Sequence, residues 1–398
     1  MLPVDEALSR VLQGLQPLEV EMVPLADAQG RVLAAQLAAT LTQPPFDASA
    51  MDGYAVRAAD VSSLPATLEV VGESAAGARF AGVLGPGQAV RIFTGAPVPD
   101  GADKIVIQED VEQEGGRVVV QAATPGQHIR PRGQDFKEGE VLLEPGTTLG
   151  ARELILAASM NHAELPVRRK PQVAILATGD EVVPPGSDLG PDEIVASVGY
   201  GIAALVSAHG GEAVALGIAK DDPESIAMLA STGAGADILL TIGGASVGER
   251  DLVASTLIRE GLELDFAKVA MRPGKPVLFG RLGTQRVLGV PGNPVSALLC
   301  SMVFLVPMLR AMLGVRGDDR PPPEAVLGQD LAANGPRQHY LRAISTWRED
   351  GTRIVHPVPS QDSSLVAALA KADCLIVQAP DAPGAAEGTR VRILPLRD

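Results

Sequence analysis

The sequence predicts a multidomain α/β protein, in which a central α/β domain with a parallel sheet is joined to two small β modules and to an N-terminal linker domain of helix and extended strands. Three observations support this prediction. The chain has 398 residues, enough for more than one domain of about 150 residues. Its 43 glycines, 32 prolines and only 3% aromatic residues indicate aliphatic cores connected by many sharp turns. Apolar strands alternate with helical segments only in the central part of the chain.

The predicted linker domain is built from two segments that lie far apart in the sequence. The segment MLPVDEALSRVLQGL carries apolar residues at helical spacing from Val4 to Leu15, with acidic and polar residues between them. It therefore predicts an amphipathic helix and not a signal peptide. A second helix is predicted within 149–165, and we expect its extended flanks to pair with the N-terminal region. Residues 1–45 and 138–169 are thus assigned to one discontinuous domain.

The β modules lie on either side of the α/β domain. Short strands separated by Gly/Pro turns predict an all-β module over 46–137. Residues 319–398 begin at a linker with three consecutive prolines and continue in alternating segments, such as YLRAISTW and TRVRILPL. Because prolines cannot continue a helix, the α/β domain is expected to end at about this linker, and the segments beyond it predict a C-terminal β domain.

The α/β domain is assigned to 170–318. The predicted strands there are 172–182, 212–220, 236–242 and 285–290, and the predicted helices are 194–211, 221–231, 250–261 and 293–313. Asp222 has the position of an N-cap, with Pro223 as the first helical residue. This alternation predicts a parallel sheet with helices on both faces.

Composition excludes several classes of partner. A net charge of −15 argues against general nucleic-acid binding, which depends on basic surfaces. Cys300 and Cys374 lie in apolar runs that predict buried positions, as expected in a reducing cytoplasm. The apolar run 297–312 is interrupted by Ser301 and Pro307 and falls short of the roughly 20 residues that span a bilayer. We therefore predict a soluble, cytoplasmic protein with no membrane or nucleic-acid partner.

One segment of the α/β domain suggests an anion site. In ILLTIGGASVGERD, residues 238–251, an apolar strand runs into Gly243 and Gly244 and is followed by a helix start. Such turns bring backbone N–H groups close to an anionic ligand, although an ordinary tight turn accounts for the pattern equally well. Polar turns follow the other predicted strands at 178–181, 221–222 and 291–294, and parallel strands would bring all four turns to one edge. The alternative is four ordinary turns with helix caps.

Charged residues near these turns suggest two further binding sites, one for an oxyanion and one for Mg²⁺. Lys268, Arg272 and Lys275 surround a rigid Pro-Gly turn, which is typical of an oxyanion-binding segment but also of a solvated charge cluster. Carboxylates such as Glu181 and Asp221 are oxygen donors of the kind that Mg²⁺ binds, although a single carboxylate in such a turn is more often a helix cap or a solvated charge.

The first β module contributes three more candidates. Asp52 lies in FDASAMDGYAVR, Thr94 in RIFTGAPVPDGAD and Asp135 in IRPRGQDF. Ordinary β-turn chemistry explains these residues equally well, and the segments alone leave the choice open. The sequence has no HExxH, Walker loop, GxSxG or Cys/His zinc spacing, and its five histidines argue against a His-based catalyst.

Seven segments, taken in order along nearly the whole chain, resemble the MoeA-type molybdopterin molybdenumtransferases, the family that includes the gephyrin E domain. They are FDASAMDGYAVR, RIFTGAPVPDGADKIV, RPRGQDFKEGE, ATGDEV, GGASVGERD, MRPGKP and PGNPVSA. The resemblance implies a homodimer that inserts molybdate into the dithiolene of adenylylated molybdopterin and releases AMP in a Mg²⁺-dependent step. It implies an active cleft between the α/β domain of one subunit and the β module of the other, and transient contacts with molybdoenzymes or other cofactor-biosynthesis proteins.

The resemblance also implies residue roles. Catalytic roles fall on Asp52, Thr94, Asp135, Glu181, Asp221, Asp251, Lys268 and Lys275. Substrate binding falls on Gly243, Gly244, Ser246, Gly248, Pro291, Gly292, Asn293 and Pro294. Molybdate binding falls on Arg272, Lys275, Ser296, Arg342 and Ser364, and Mg²⁺ binding on Asp251, Glu181 or Asp221. The physical chemistry agrees, because arginine and lysine suit a tetrahedral oxyanion, and Mg²⁺ would neutralise the phosphates of the departing AMP.

Two positions depart from the family pattern. Arg272 stands where the family commonly has lysine, which keeps the charge but changes the hydrogen-bond geometry. Ala196-Ser197-Val198 replaces a more polar stretch at the start of the first helix of the α/β domain. These departures motivate an alternative, a pterin-binding or scaffold protein with reduced catalytic activity. A nucleotide-processing enzyme of the competence/damage-inducible family is a third hypothesis, against which FDASAMDGYAVR argues.

Overall fold

The computed structural model of the protein describes residues 1–244, 252–317 and 321–396. Its N-terminal part contains helix α1 (Val4–Leu12) and strands β1 (Val20–Pro24) and β2 (Leu37–Ala38). Helix α1 buries Val4, Ala7 and Val11 on one face, which confirms the predicted amphipathic helix. These side chains join the core that lies on one face of the central α/β sheet.

The first β module is all-β, as predicted. Its strands are β3 (Ala48–Ser49), β4 (Gly53–Val56), β5 (Ala66–Ser74), β6 (Gln88–Ile92), β7 (Lys104–Ile107), β8 (Val111–Glu114), β9 (Arg117–Val120) and β10 (Ile129–Arg130). Six of them form a sheet in the order β7-β4-β6-β5-β9-β8. The short strands β3 and β10 pair with each other beside it.

Beyond this module the chain returns to the N-terminal region. The returning elements are β11 (Val141–Leu143), helix α2 (Ala151–Ser159) and β12 (Glu164–Arg168). Strand β12 pairs with β1, and β11 pairs with β2, so both predicted flank pairings are confirmed. Between them lies a separate small core that contains Leu33, Phe136 and Met160.

The α/β region follows. Its elements are β13 (Gln172–Thr178), β14 (Val182–Val183), β15 (Ile194–Val195), α3 (Val198–Ala208), β16 (Glu212–Ala219), α4 (Pro223–Thr232), β17 (Ile238–Ile242), α5 (Leu252–Arg259), β18 (Glu263–Phe266), β19 (Met271–Arg272), β20 (Leu278–Leu282), β21 (Gln285–Val290), α6 (Pro294–Cys300), a π-helical turn (Ser301–Leu305) and α7 (Val306–Met312). Helix α4 begins as predicted, because the Asp222 carboxylate accepts hydrogen bonds from the N–H groups of Glu224 and Ser225.

The central sheet has the order β16-β13-β17-β21-β20-β18. Its first four strands are parallel, and buried cores lie on both faces, so the predicted parallel α/β core is confirmed. The structure adds an antiparallel edge that the sequence analysis did not anticipate. Strand β20 pairs antiparallel with β21 because only two residues connect them, and β18 pairs antiparallel with β20.

The apolar segment Pro294–Met312 forms one helical stretch of 19 residues with a mean hydropathy of 1.9. The helix predicted over 293–313 is thus confirmed to within one residue at each end. Inside it, residues Ser301–Leu305 form the π-helical turn, and Pro307 lies in the first turn of α7, where proline is tolerated. By length and composition alone this stretch would suit a membrane span, but 61% of it is buried inside the protein, as in a core helix. Cys300 within it and Cys374 are both buried with free thiols, as predicted.

The C-terminal part is a small closed β domain. Its elements are β22 (Glu324–Leu327), β23 (Gln338–Trp347), β24 (Arg353–Pro357), α8 (Val366–Lys371), β25 (Cys374–Gln378) and β26 (Arg390–Pro395). The sheet order is β23-β24-β22-β26-β25, and β23 also pairs with β25, which closes the ring around its own core.

Strand β19 crosses from the α/β region into this C-terminal sheet. Met271 and Arg272 pair in parallel with Gln338 and His339 at the start of β23. The turn that follows packs tightly on α6, since a Cβ added to Gly274, which has φ +102°, would come within 2.5 Å of the Cys300 sulfur. Segment 268–275 is thus held between helix α6 and strand β23.

The packing of this turn gives a testable expectation. Gly274 and Gly283 both have positive φ, +102° and +60°, so alanine at either position costs about 1–2 kcal/mol. Only at Gly274 would the new methyl group meet a close atom, because nothing lies within 4 Å at Gly283. We expect Gly274→Ala to lower the free energy of unfolding by a further ~1–3 kcal/mol relative to Gly283→Ala. Chemical denaturation measures this difference, and equal losses would contradict the tight packing against α6.

Candidate functional site

Three turns meet at the carboxyl edge of the parallel strands. Gly243, which follows β17, donates its N–H to the carbonyl of Val290 at 3.0 Å. A Cβ at Gly243 would lie 3.0 Å from the Thr178 hydroxyl oxygen, and a Cβ at Gly292 would lie 3.7 Å from the Gly243 Cα. The turns after β13, β17 and β21 are therefore in contact, and glycine is required for the approach at Gly243, where φ is +88°.

A cluster of carboxylates lies beside these turns. The Asp221 N–H donates to the Asp180 carboxylate at 3.1 Å. The pKa of Asp221 is raised by burial first and then by the negative charges of Asp180 and Glu181. Asp180 lies in the turn 178–181 that the sequence places at this edge, but it was given no individual role there. Asp222 acts as a helix cap. The mutual repulsion of these carboxylates favours a bound cation.

The structure describes part of the predicted metal site. In the ranges 1–244, 252–317 and 321–396, no group of three or more His, Cys, Asp or Glu side chains is arranged to hold a metal ion. Asp251, together with Ser246 and Gly248, lies outside the described residues. Glu181 and Asp221 nevertheless fit Mg²⁺, which is usually held in proteins by one or two carboxylates together with substrate phosphates.

The N-terminus of helix α6 contacts the C-terminal domain. The Asn293 side chain donates to the Ser363 hydroxyl at 3.1 Å, and the Val295 N–H donates to the Ser363 carbonyl at 3.2 Å. Ser296 is buried and lies one helical turn before Cys300, hence on the helix side that packs against Gly274. The turn 291–294, Ser296 and the loop around Ser363 therefore lie at one junction between the two domains.

Arg342 organises that loop. Only 1% of its surface is exposed, and its guanidinium donates to the carbonyls of Ser360, Asp362 and Leu365 at 3.1, 2.8 and 3.2 Å. Within the same loop, the Ser364 hydroxyl donates to the Asp362 carboxylate at 2.7 Å. In the structure Arg342 and Ser364 thus fix the shape of the loop, and molybdate binding by either residue stays a prediction.

Lys268, Arg272 and Lys275 all have exposed side chains, and none makes an ion pair within the described part of the chain. The backbone holds them close together, since the Val269 N–H donates to the Lys275 carbonyl at 3.0 Å. An exposed set of cations on a fixed turn is what an oxyanion-binding segment requires.

His339 is a neighbour of this segment that the sequence analysis missed. It is buried beside Arg272, and its pKa is lowered to about 4 by burial first and then by the charges of Arg272 and Arg337. The alternation in HYLRAI marks a strand, but nothing in it indicates that the strand pairs with residues 271–272.

Two candidates of the β module are hydrogen-bonded to each other, and the third, Asp135, lines a nearby pocket. The Asp52 carboxylate accepts hydrogen bonds from the Thr94 N–H at 2.8 Å and from the Thr94 hydroxyl at 2.7 Å, and these two bonds lower its pKa. Gly95, next to Thr94, lines a pocket of about 540 Å³ together with Phe46, Arg130 and Asp135. The structure therefore brings Asp52, Thr94 and Asp135 to neighbouring positions on the module surface.

Comparison with known proteins decides the family. The profile for the MoeA N-terminal region (domain I and II) matches residues 2–161, the probable molybdopterin binding domain matches 174–311, and the MoeA C-terminal region (domain IV) matches 324–396. The chain belongs to the MoeA family. This MoeA-family chain is 35% identical over 401 residues to the molybdopterin molybdenumtransferase of Haemophilus influenzae, an alignment that covers 99% of this chain and 98% of the relative.

Other comparisons agree. The molybdopterin molybdenumtransferase of Bacillus subtilis is 33% identical over 407 residues, which covers 100% of this chain and 94% of that protein. The crystal structure of a molybdopterin biosynthesis MoeA protein from Pyrococcus horikosii superimposes with a TM-score of 0.84, at 31% identity and with both chains fully covered. The family resemblance and the fold class inferred from the sequence are both confirmed.

The role of Arg342 in the loop is testable. Replacing it by alanine would leave three carbonyls without their charged donor, so we expect Arg342→Ala to lower the free energy of unfolding by at least ~2 kcal/mol in the absence of any ligand. Arg390→Ala is the matched control, because that arginine is 79% exposed and its 3.7 Å ion pair with Glu324 contributes under ~1 kcal/mol. Urea unfolding measures both losses, and an Arg342 loss as small as the control would contradict its structural role.

Proposed function

We propose that the protein inserts molybdate into the dithiolene of adenylylated molybdopterin and releases AMP in a Mg²⁺-dependent step. The observation that carries this proposal is the junction at which the glycine turns of the α/β sheet, the N-terminus of α6 and the basic turn 272–275 lie within one packed region. Relatives of nearly the same length, named molybdopterin molybdenumtransferase, support it.

The glycine turns suit the pterin and phosphate groups of the substrate. Gly243 and Gly244 both have positive φ, and a backbone of this shape presents N–H groups towards an anion. The turn 291–294 brings the N-terminus of α6 to the same edge, although part of it is already occupied by Ser363. We propose that Gly243, Gly244 and Gly292 let the substrate approach the backbone closely, and that Ser246 and Gly248 extend this surface.

The basic turn suits the oxyanion. Lys275 and Arg272 are exposed cations on a backbone fixed by the Gly274 contact, so little backbone conformational entropy is lost when they bind a dianion. Lys268 adds a third positive charge, and buried Ser296 provides a hydroxyl group on the neighbouring helix face. We propose that these side chains orient molybdate for attack by the dithiolene sulfurs, while Arg342 and Ser364 keep the adjoining loop in place.

The carboxylates Glu181 and Asp221, with Asp251, are the proposed residues that hold Mg²⁺. The metal, when bound, supplies positive charge to the phosphates and to the departing AMP. The residues themselves provide oxygen ligands and relieve their own repulsion by binding the cation. With this arrangement the release of AMP requires no protein nucleophile.

We propose a homodimer in which the pocket near Asp52, Thr94 and Asp135 faces the α/β domain of the partner subunit. This arrangement would complete the cleft with groups from two chains. The division into domains at 1–45 plus 138–169, 46–137, 170–318 and 319–398 is part of the same proposal. We also propose a cytoplasmic location and transient contacts with molybdoenzymes or other cofactor-biosynthesis proteins.

One observation favours the alternative of a pterin-binding or scaffold protein with reduced activity. Ser197 precedes helix α3 but makes no side-chain cap hydrogen bond. Ala196, together with Gly199 and Tyr200, lines an apolar pocket of about 270 Å³. The polar groups that the family commonly has at this helix start are therefore replaced by an apolar surface, which offers fewer hydrogen bonds to a ligand.

The assay that tests the proposal measures AMP release from adenylylated molybdopterin with and without molybdate and Mg²⁺. We expect release to depend on both, and formation of active cofactor to accompany it. Substrate binding without molybdate-dependent release would refute the transferase proposal and support the scaffold alternative.

Two variants test the residue roles in the same assay. We expect Lys275→Ala to raise the KM for molybdate by about tenfold or more, because a charge-assisted hydrogen bond contributes ~1.5–3 kcal/mol. We expect Asp251→Ala to raise the Mg²⁺ concentration needed for AMP release. Lys170→Ala is the control for the lost positive charge, since it is exposed just before β13, at the opposite edge of the sheet. Kinetics unchanged from the wild type in both site variants would contradict these assignments.

A further inference from the structure

The residues just before helix α1 pair with segment 268–275. Leu2 forms a parallel β-bridge with Val269. The Leu2 N–H donates to the Lys268 carbonyl at 3.1 Å, and the Leu2 carbonyl accepts from the Ala270 N–H at 2.7 Å. These are the two hydrogen bonds that flank a paired residue in a parallel ladder. A stretch that is distant in sequence therefore adds a short strand beside the basic turn.

Segment 268–275 is bonded along both of its edges at this point. On the edge opposite Leu2, the Ala270 carbonyl accepts from the Gln338 N–H of β23 at 2.9 Å. Lys268 lies two residues before Ala270, and its own carbonyl is bound by Leu2. The end of the segment that carries Lys268 is thus held by Leu2, on the edge opposite β23.

Helix α1 keeps Leu2 in this position. Val4, in the first turn of the helix, is buried in the core on one face of the central sheet, and Leu2 packs against the same core. Beyond the other end of the helix, the Gln13 carbonyl accepts from the guanidinium groups of Arg281 and Arg286 at 3.1 and 2.9 Å. The helix is therefore attached to the α/β region at both ends, and Leu2 is carried by a rigid element.

We infer that Leu2 is a positioning residue for the candidate site and that it acts through Lys268. The inference rests on the proposed function, in which the exposed Lys268 side chain adds a third positive charge beside Arg272 and Lys275. Pairing with Leu2 fixes the backbone from which the Lys268 side chain extends. Without this pairing, that backbone would have to be ordered when the oxyanion binds, and the entropy lost in ordering it would lower the affinity.

The test measures molybdate binding to the full-length purified protein by equilibrium dialysis, together with the kinetics of molybdate-dependent AMP release. Leu2→Pro removes the N–H donor and keeps the carbonyl acceptor. We expect it to raise the Kd and the KM for molybdate roughly two- to tenfold, the range for one lost backbone hydrogen bond. The change in kcat should be smaller than the change in KM, since binding is what the pairing supports. Leu2→Ala keeps the N–H donor and should retain most of the affinity.

A matched control separates positioning from general stability. Val11→Ala removes a side chain that is buried in the same core at the far end of α1. It should lower the free energy of unfolding, measured by urea denaturation, without raising the Kd for molybdate. If Leu2→Pro does not fold, Val4→Ala takes its place in the comparison, because it loosens the end of α1 next to Leu2 and keeps every backbone donor.

A double-mutant cycle tests the route of the effect. In protein that already carries Lys268→Ala, we expect Leu2→Pro to cause little further loss of affinity, because the side chain that Leu2 positions is gone. An undiminished further loss would contradict action through Lys268.

The remaining outcomes separate this inference from the proposed function. Wild-type molybdate affinity in Leu2→Pro overturns the inference, and so does a loss of affinity in Val11→Ala as large as that in Leu2→Pro. Molybdate binding by the wild type without molybdate-dependent AMP release would refute the transferase proposal, while the dialysis comparison would still decide the role of Leu2. Wild-type protein that binds no molybdate would overturn that role.

Discussion

The short strand β19 is the constraint on which the candidate site depends. Two residues, Met271 and Arg272, leave the α/β region and pair with β23 of the C-terminal domain, while the following turn packs Gly274 against Cys300 of α6. One backbone segment therefore fixes the basic side chains relative to both domains at once. Helix α6 makes a second connection through Ser363, so the junction is held from two sides.

Charge is distributed around this junction in a way that suits anionic substrates in an acidic protein. With a net charge of −15, the protein as a whole repels anions, so a local set of cations has to provide the attraction. Lys268, Arg272 and Lys275 are exposed and lack carboxylate partners in the described residues. The carboxylates of Asp180, Glu181 and Asp221 lie instead at the ends of the neighbouring strands, where the charges of Asp180 and Glu181 help burial to raise the pKa of Asp221. This separation keeps the cations free for oxyanions.

The sequence was sufficient for features that depend on local chemistry. Helix α1 follows from the spacing of its apolar residues, the start of α4 follows from Asp222 and Pro223, and the parallel strands follow from their alternation with helices. The contact between Asp52 and Thr94 joins residues 42 positions apart, and the sequence suggested both residues but not their hydrogen bonds. Family motifs, and not periodicity, pointed to these positions.

Non-local pairings could not be read from the sequence. No local pattern shows that residues 271–272 pair with 338–339, so the buried position of His339 beside Arg272 emerges only in the structure. The burial of Arg342 was missed for a similar reason, because its acceptors are loop carbonyls 18 to 23 residues away. A charged side chain looks the same in a sequence whether it binds a ligand or supports a loop.

The central claim is that the turn carried by β19 is the element that binds the oxyanion. Anomalous scattering from crystals of the protein soaked in molybdate, recorded at the molybdenum absorption edge, tests this claim most directly. We expect a molybdenum peak within hydrogen-bonding distance of Arg272 or Lys275. Fully occupied molybdenum sites that all lie away from segment 268–275 would contradict it.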